Sequence, residues 1–324
     1  MLFAAMSVIW GIPYLMIKVV VDGGVSPAFL VFARTAVGAL ILLPVAVRRG
    51  AIRPALARWR PVLAFAAIEV GITWYLLNSA EVRLSSSLVA LMIAMVPLVG
   101  TVLAWRLGDR SVLSPVRLTG LGVGLCGVGV VVGLNLTAGG SPAWAIGAVC
   151  LVSVGYAVAP MIADRKLAGV PTIGVIAVSL TAVALVYLPF AVLQAPSRLP
   201  RFNVLASMLA LGLVCTALAF ICFFELIAEA GAVRATVITY LNPAVALLCG
   251  VALLGEHVTI GIVIGFPLVL IGSFLATRRA QAPSAEAAEV AVAAVGASTG
   301  PVAEPPAEAA QQAPPLALPE VSAG

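Results

Sequence analysis

The chain has 324 residues, of which 62% are hydrophobic and 10% are charged, with a formal net charge of +5 and a mean hydropathy of +1.17. A soluble globular domain is closer to half apolar and a quarter charged, so a water-soluble protein of this length could not bury so much apolar surface. The composition therefore excludes an ordinary soluble enzyme or binding domain and predicts a polytopic membrane protein.

The positive charge does not indicate nucleic-acid binding, because most basic residues lie in short segments between apolar runs, where orientation signals belong. No nucleic-acid partner is expected. The five cysteines all fall within apolar runs, where they are expected to pack as small side chains rather than form disulfides or bind metal. The sequence therefore predicts no resident metal or cofactor.

Apolar runs recur along the chain at lengths that suit a bilayer, whose hydrocarbon core of about 30 Å needs about 20 residues of helix. The first run begins at Met1 with no basic region before it and is too long for a signal-peptide core, so we expect it to be retained. The sequence predicts an all-α protein with ten membrane spans, at approximately residues 2–21, 28–47, 61–80, 85–105, 116–134, 143–163, 173–193, 204–226, 233–254 and 260–277.

Basic residues are distributed unevenly over the predicted loops. If the N-terminus is cytoplasmic, 13 lysines and arginines fall on the cytoplasmic side and 3 on the other side, while Lys18 and Arg34 lie inside spans. Cytoplasmic loops of membrane proteins carry the excess of lysine and arginine. The distribution therefore predicts a multi-pass protein of the cytoplasmic membrane with both termini in the cytoplasm.

Residues 280–324 differ in character from the rest of the chain. They are rich in alanine, proline and glutamate, with five glutamates and no lysine or arginine. Such a segment cannot offset its ordering entropy by burying apolar surface, which predicts a disordered cytoplasmic tail. A solvated tail is the simpler interpretation, and a partner-binding segment is the alternative.

Two stretches, one in each half of the chain, resemble each other: "SSSLVALMIAMVPLVGTVLAWRLGDR" from Ser85 and "AVRATVITYLNPAVALLCGVALLGEH" from Ala232. The separation from proline to acid is 12 residues in the first and 13 in the second. Each has a proline within a span, Pro97 in the first and Pro243 in the second. Each ends in a glycine–acid pair, Gly108–Asp109 and Gly255–Glu256. Each precedes two glycines seven residues apart, Gly120 and Gly127 in the first half and Gly265 and Gly272 in the second.

These matching residues fall around the fourth and ninth spans, which are five spans apart. Because five is odd, the second half enters the membrane with the opposite polarity to the first. The sequence therefore predicts two inverted five-helix repeats, residues 1–134 and 143–277. Inverted repeats are typical of secondary transporters, in which a site between the halves opens to one side and then to the other.

Four stretches carry a family resemblance: "IWGIPYLMIK", "FARTAVGALILLP", "LVALMIAMVPLVGTVLAWRLGDR" and "ATVITYLNPAVALLCGVALLGEHVTIGIVIGFPLVLIGSFL". They look like the two EamA domains of the drug/metabolite transporter superfamily, over roughly residues 1–277. The resemblance implies ten helices, cytoplasmic termini, a central cavity between the halves and transport of small metabolites, often export. The chain departs from the family pattern at Asp109, which replaces a glutamate and comes one residue early.

Ionisable side chains inside spans are functional candidates, because a charge in a membrane is costly. Trp10, Tyr14 and Lys18 are spaced i, i+4, i+8, so they share a helix face that is suited to line a cavity. The alternative for Lys18 is snorkelling, since it lies only about 5 Å from the outer end of its span. Arg34 lies about 9 Å deep in the second span and is expected to reach the headgroups or pair with an acid.

Glu69 lies near the centre of the third span, out of reach of either end. A lone carboxylate there is expected to be protonated or paired, so the two open interpretations are a proton-coupling group and a structural partner. Pro97 and Pro243 each free a carbonyl four residues back, and matched helix breaks in two repeats point to a binding site. A packing kink is the alternative for both prolines.

Polar and aromatic residues near these positions complete the predicted substrate-binding set, namely Trp74, Asn78, Tyr156, Tyr240 and Asn242. Lys18 and Arg34 suggest an anionic group on the substrate. The aromatic residues Trp10, Tyr14, Trp74 and Tyr75 equally suit a hydrophobic cation, through cation–π contact. The residues alone leave both substrate classes open.

The leading hypothesis is a secondary transporter that exports a small amino-acid-like or drug-like solute by alternating access, with proton antiport if Glu69 titrates. The chain has no GxxxxGK[ST] loop for ATP. A membrane-embedded enzyme is disfavoured, because the only histidine, His257, lies in a loop and no HExxH motif exists. A non-transporting scaffold is the third class. The expected partners are a small solute and the lipid bilayer, with a homodimer as an option.

Overall fold

The computed structural model describes residues 2–137, 142–230 and 238–277. The predicted tail, residues 280–324, lies outside the described residues. Ten apolar helices follow one another along the chain: α1 (Leu2–Gly11 and Pro13–Asp22), α2 (Pro27–Arg48), α3 (Trp59–Phe65, Ala66–Ile72 and Thr73–Glu81), α4 (Ser86–Ile93 and Val96–Arg106), α5 (Pro115–Thr137), α6 (Ala143–Lys166), α7 (Thr172–Leu193), α8 (Phe202–Gly212, Leu213–Leu218 and Ala219–Ala230), α9 (Ile238–Leu254) and α10 (Ile260–Thr277).

The predicted fold class is confirmed. Within the described part of the chain, nine of these helices are long and apolar enough to cross a bilayer, and α9 contributes a shorter apolar helix, Leu241–Leu254. The spans predicted from hydropathy match the helices to within a few residues at most ends. Serine side chains fix two of the helix starts, since Ser26 Oγ accepts from the N–H of Phe29 (3.2 Å) and Ser85 Oγ accepts from the N–H of Leu88 (3.3 Å).

Helices α4 and α9 end in the same kind of turn. Gly108 and Gly255 both adopt positive φ angles, +99° and +65°, which a glycine reaches without steric cost. The N–H of Asp109 then donates to the carbonyl of Ala104 (3.0 Å), and the N–H of Glu256 donates to that of Gly250 (3.1 Å). Each accepting carbonyl lies seven residues after the proline of its helix. The extra residue of the second stretch is therefore in the turn and not in the helix.

Helices α3 and α8 also share an irregularity, because each contains a π-helical segment, Ala66–Ile72 and Leu213–Leu218. The two segments start 147 residues apart, the same separation as Asp109 and Glu256. Threonine hydroxyls donate to carbonyls five residues earlier in both, Thr73 to Ile68 (2.9 Å) and Thr216 to Leu211 (2.8 Å). These bonds satisfy carbonyls that the wide turn leaves without their usual partner.

Helices α5 and α10 pack against each other through the glycines that the sequence pattern picked out. A Cβ on Gly127 would lie 2.7 Å from Leu268 Cβ, and one on Gly272 would clash with the backbone of Gly124. Positions early in α5 meet positions late in α10, so the two helices are antiparallel. Small residues allow this close backbone approach within a membrane.

The helices around Pro97 and Pro243 differ in continuity. In α4 the helix is interrupted at Ala94 and Met95, just before Pro97. The described part of α9 runs through Pro243 without interruption. A proline inside a membrane-spanning helix still removes one N–H donor, and a neighbouring helix can support the kink.

Candidate functional site

The centre of the candidate site is Arg34 on α2, whose side chain is 8% exposed. Its Nε donates a 2.9 Å hydrogen bond to Oγ1 of Thr216, within the π-helical segment of α8. Its guanidinium carbon lies 3.7 Å from the ring centroid of Trp74 on α3, in a cation–π contact. Because Thr216 belongs to the second half and Arg34 to the first, this side chain links the two repeats.

Tyr156 of α6 extends the cluster around Arg34. The Tyr156 hydroxyl lies near the indole of Trp74. Tyr156 also lies within electrostatic range of Glu69, Tyr14 and Arg34. Both tyrosines are half-buried, unlike Arg34 and Trp74, which are buried. The cluster therefore combines two buried side chains with two half-buried tyrosines.

Lys18 lies at the end of the molecule where α1 and α3 terminate, which we call the Asp22 end. Its Nζ forms a 2.8 Å salt bridge with Asp22 Oδ1 and donates a 3.0 Å hydrogen bond to the carbonyl oxygen of Glu81. The side chain of Lys18 is 18% exposed and that of Asp22 is 55% exposed. The ammonium group is thus held by groups of the first repeat.

Glu81 is a residue that the sequence analysis missed. Its side chain is 0% exposed, and neither carboxylate oxygen has a hydrogen-bond partner in the described structure. Lys18, Glu256, Arg34 and Asp22 all lie within its electrostatic range. It was overlooked because it falls one residue past the predicted third span. The spacing of Trp74, Asn78 and Glu81, at i, i+4, i+7, could have found it.

The π-helical segment of α3 brings Glu69 to the same side of the helix as Trp74. Five residues separate the two, which places them about 140° apart on a regular α-helix. A π turn contains an additional residue, so that five residues turn the chain about as far as four do in an α-helix. Glu69 is half-buried, and its Oε2 is a buried atom with no hydrogen-bond partner among the described residues.

Asn78 occupies the same face of α3, one turn before Glu81. Its Nδ2 donates a 3.5 Å hydrogen bond to the carbonyl of Pro27, at the start of α2. Its Oδ1 is buried and has no partner in the part of the chain that the structure describes. Glu69, Asn78 and Glu81 thus present acceptor oxygens that no described donor satisfies, an unusual state for buried polar atoms.

The predicted strip of Trp10, Tyr14 and Lys18 divides between two surroundings. Tyr14 lies within electrostatic range of Glu81 and Arg34, so it joins the cluster. Trp10 instead packs on α8, with ring centroids 6.3 Å from Phe220 and 4.7 Å from Phe223. Tyr14 therefore faces the Arg34 cluster, whereas Trp10, one turn farther from the Asp22 end, does not.

The two candidates on α9 are less well defined. The backbone carbonyl of Asn242 lies against Gly11, where an added Cβ would come within 3.1 Å of it and within 2.5 Å of Val245 Cβ. This close approach joins α1 to α9. The side chain of Tyr240 lies outside the described residues.

A second polar site, which we call the latch, joins α4 to the turn after α9. Oε1 of Glu256 accepts hydrogen bonds from the N–H (2.7 Å) and hydroxyl (2.9 Å) of Ser86, while Oε2 accepts from the N–H (2.9 Å) and hydroxyl of Ser87. The contact shows that α4 begins where α9 ends. The equivalent helices of the two repeats therefore run in opposite directions.

The latch also fixes the charge of Glu256. Burial raises the pKa of this carboxyl group, but the hydrogen bonds from Ser87 and Ser86 outweigh burial, so that its pKa lies below the usual 4.5. The first turn of α4 adds the favourable end of the helix dipole. A Cβ at Gly250 of α9 would clash with Ser87 Oγ and Glu256 Oε2. Glycine at position 250 therefore keeps the latch closed.

The described residues contain no group of three or more histidine, cysteine or acidic side chains that could hold a metal ion. The five cysteines have free thiols. The site thus consists of the Arg34 cluster and the latch, and helices of both repeats contribute to each.

A family model described as "EamA-like transporter family" matches the chain twice, over residues 1–133 and 143–278. The chain belongs to the EamA-like transporter family. Two matches in one chain agree with two EamA repeats, and the EamA protein is accordingly a multi-pass membrane transporter of the drug/metabolite transporter superfamily.

A solved structure adds evidence for the fold of this EamA protein. A structure titled "Crystal structure of protein" has a TM-score of 0.60 and 24% sequence identity, and the match covers 85% of this chain and 95% of that one. At this identity the likeness shows the fold alone. No curated protein matches the sequence significantly.

Proposed function

We propose that this EamA-like transporter is a secondary carrier that exports a small amino-acid-like or drug-like solute by alternating access. The observation that carries the proposal is the hydrogen bond between Arg34 and Thr216, which joins the two repeats beside unpartnered acceptor groups. A site between two units of opposite polarity is the arrangement through which inverted-repeat carriers expose a solute to each side in turn.

The latch supports a conformation that is closed at the Asp22 end. On this side, the first segment of α4 packs against α9, and Glu256 bonds to the start of α4. The second segment of α4, Val96–Arg106, packs instead on α6 and α10. If the termini are cytoplasmic, as the basic residues predict, the latch closes the outer side. Release of an exported solute would then require the four bonds to Glu256 to break.

The hydrogen-bonding state of the cluster favours a solute with a protonated amine. The two cations that suggested an anionic substrate already have partners, since Lys18 is held by Asp22 and Arg34 stacks on Trp74. The buried oxygens without a described donor belong to Glu69 (Oε2), Asn78 (Oδ1) and Glu81 (both carboxylate oxygens). An acceptor of this kind, with an aromatic ring such as that of Tyr14, Trp74 or Tyr156 nearby, suits the amine of an amino acid or of a hydrophobic drug.

Proton coupling through Glu69 is part of the proposal. A carboxyl group with a buried oxygen that no described donor satisfies is suited to bind and release a proton, and Glu69 lies within electrostatic range of Tyr156 of the solute cluster. A bound amine and a bound proton would then compete for the same carboxylate, which is the basis of antiport. Glu81 is a second candidate on the same grounds, closer to the latch.

The experiment is solute flux in vesicles that contain the purified full-length protein. A panel of amino acids, hydrophobic amines and carboxylates is loaded inside, and efflux is followed with and without a pH gradient. We expect amines and amino acids to move, with pH-driven flux lost in Glu69→Gln while exchange at equal pH persists. Glu81→Gln tests the second carboxyl group in the same way. Folded protein that moves none of the panel would overturn the proposal.

A further inference from the structure

At the opposite end of the bundle, α4 and α6 border an open groove of about 350 Å³ that has no part in the solute cluster. Its lining combines apolar side chains with three cationic ones: Leu103, Arg106, Leu107, Val158, Met161, Ile162, Arg165 and Lys166. This groove is at the small end of the range for ligand pockets, about 300–1,000 Å³. A slender apolar chain is the kind of occupant it can take.

The groove faces away from the solute cluster. Val158, Met161, Ile162 and Arg165 are spaced i, i+3, i+4, i+7, so they share one face of α6. Arg165 follows Tyr156 by nine residues, or two and a half turns, which puts it on the opposite side of the helix, at about 180°. Because Tyr156 belongs to the solute cluster, the groove lies on the outward face of α6.

The same separation holds on α4. Leu103, Arg106 and Leu107 form one face of its second segment, spaced i, i+3, i+4. Thr101, which is 7% exposed and donates to the carbonyl of Pro97 (2.8 Å), comes two residues before Leu103 and is therefore on another side. Both walls of the groove therefore lie on other sides of their helices than Thr101 and Tyr156.

The cations lie where the hydrocarbon region ends. The apolar spans of α4 and α6 terminate at Arg106 and Lys166. Arg58 adds positive charge nearby, since its Nη1 donates to the carbonyls of Lys166 (3.0 Å) and Ala168 (3.1 Å). Asp164 is the acid nearest in sequence, and it does not line the groove. An apolar cleft that opens between cations at a membrane boundary matches a lipid with an anionic headgroup.

We propose that the groove binds one anionic phospholipid, with an acyl chain between α4 and α6 and its phosphate among Arg106, Arg165 and Lys166. Basic pockets between transmembrane helices on the cytoplasmic side are known to hold such headgroups. A bound lipid would tie α4 to α6 at this end. This site is independent of the solute cluster, so it does not depend on the transport proposal.

The test is native mass spectrometry of the full chain after removal of native lipid, with phosphatidylglycerol or phosphatidylcholine of the same acyl chains added back. We expect one phosphatidylglycerol to be retained in preference to phosphatidylcholine. The triple variant Arg106→Gln, Arg165→Gln, Lys166→Gln should bind it roughly a hundredfold more weakly, because each cation contributes about a fivefold factor. Met161→Trp, which fills the groove and keeps the charges, should also lose the lipid.

The matched control is a second triple variant, Arg48→Gln, Arg49→Gln, Arg53→Gln, which removes the same charge from exposed positions at the end of α2 and just after it. It should retain phosphatidylglycerol as the native sequence does. Equal loss in both triple variants would mean only general surface attraction and would overturn the site. Equal retention of phosphatidylcholine, or displacement of the lipid by inorganic phosphate alone, would contradict it as well. Thermal melting of each variant in detergent confirms that it is folded.

Discussion

The carboxylate of Glu256, in the turn after α9, accepts a 2.7 Å hydrogen bond from the backbone N–H of Ser86, the first residue of α4. The two residues are 170 positions apart in the sequence. The bond therefore caps a helix of the first repeat with an acid of the second. Closure of the Asp22 end therefore depends on the relative position of the two repeats.

The first prediction concerns the charge of the latch. Glu256→Gln keeps the size of the side chain but replaces one acceptor oxygen with a donor, so that it leaves one serine without its partner. Hydrogen bonds to a charged group contribute about 1.5–3 kcal/mol each, and we expect the closed form to lose about that much. The measurement uses a chain without native cysteines that carries Leu84→Cys, because Leu84 is buried. We expect this cysteine to react faster with a maleimide when Glu256→Gln is added than when Glu256 is present.

The control for this variant is Asp109→Asn, which alters the acid of the matching turn after α4. Asp109 is exposed, so the change removes an acidic charge without disturbing the Asp22 end. Labelling at position 84 should stay at the rate of the unaltered background. If Glu256→Gln and Asp109→Asn labelled equally, the latch would not be what closes this end.

The second prediction is a pH dependence of stability. Because the pKa of Glu256 in the folded protein lies below the usual 4.5, its ionised form favours folding. That contribution is complete above pH 4.5 and is lost as the pH falls through the lowered pKa. The melting temperature in detergent should therefore drop between pH 6 and pH 3 by more in the native chain than in Glu256→Gln. Parallel profiles would show that Glu256 gains nothing from ionisation.

The third prediction concerns the close approach at Gly250. Gly250→Ala places a methyl group against Ser87 Oγ and Glu256 Oε2, so we expect it to open the latch and lower the melting temperature. Gly100→Ala is the matched control on α4, because its Cβ would meet no atom within 4 Å. There alanine should be neutral or stabilising by about 0.4–1 kcal/mol, since it reduces the entropy of the unfolded chain. A similar fall in melting temperature in Gly250→Ala and Gly100→Ala would indicate a general effect of alanine in these helices, and not the close contact at position 250.

The sequence was sufficient for the architecture because hydropathy and repeats are local or periodic signals. The ten spans, the inverted polarity and the glycines of α5 and α10 all follow from such patterns. The site was less accessible. Glu81 lies one residue beyond a predicted span, so counting charges inside spans passes over it.

Contacts across the two repeats explain most of what the pattern could not reveal. Nothing near Ser86 in the sequence indicates that its hydroxyl bonds to Glu256, and nothing near Arg34 indicates Thr216. The π-helical segments are a second cause, since one additional residue in a turn rotates Glu69 relative to Trp74.

The last prediction concerns the link between the two repeats at Arg34. Its planar guanidinium stacks on Trp74 while Nε bonds to Thr216, and a lysine ammonium cannot take both positions. A desolvated cation–π contact is worth about 2 kcal/mol or more. We therefore expect Arg34→Lys to reduce solute flux in vesicles by roughly thirtyfold, since about 1.4 kcal/mol corresponds to a factor of ten.

The control for this variant is Arg48→Lys, which lies at an exposed helix end and should transport normally. Thr216→Val removes only the hydrogen bond and should have a smaller effect than Arg34→Lys. Full activity in Arg34→Lys would mean that position 34 needs a positive charge and not this geometry.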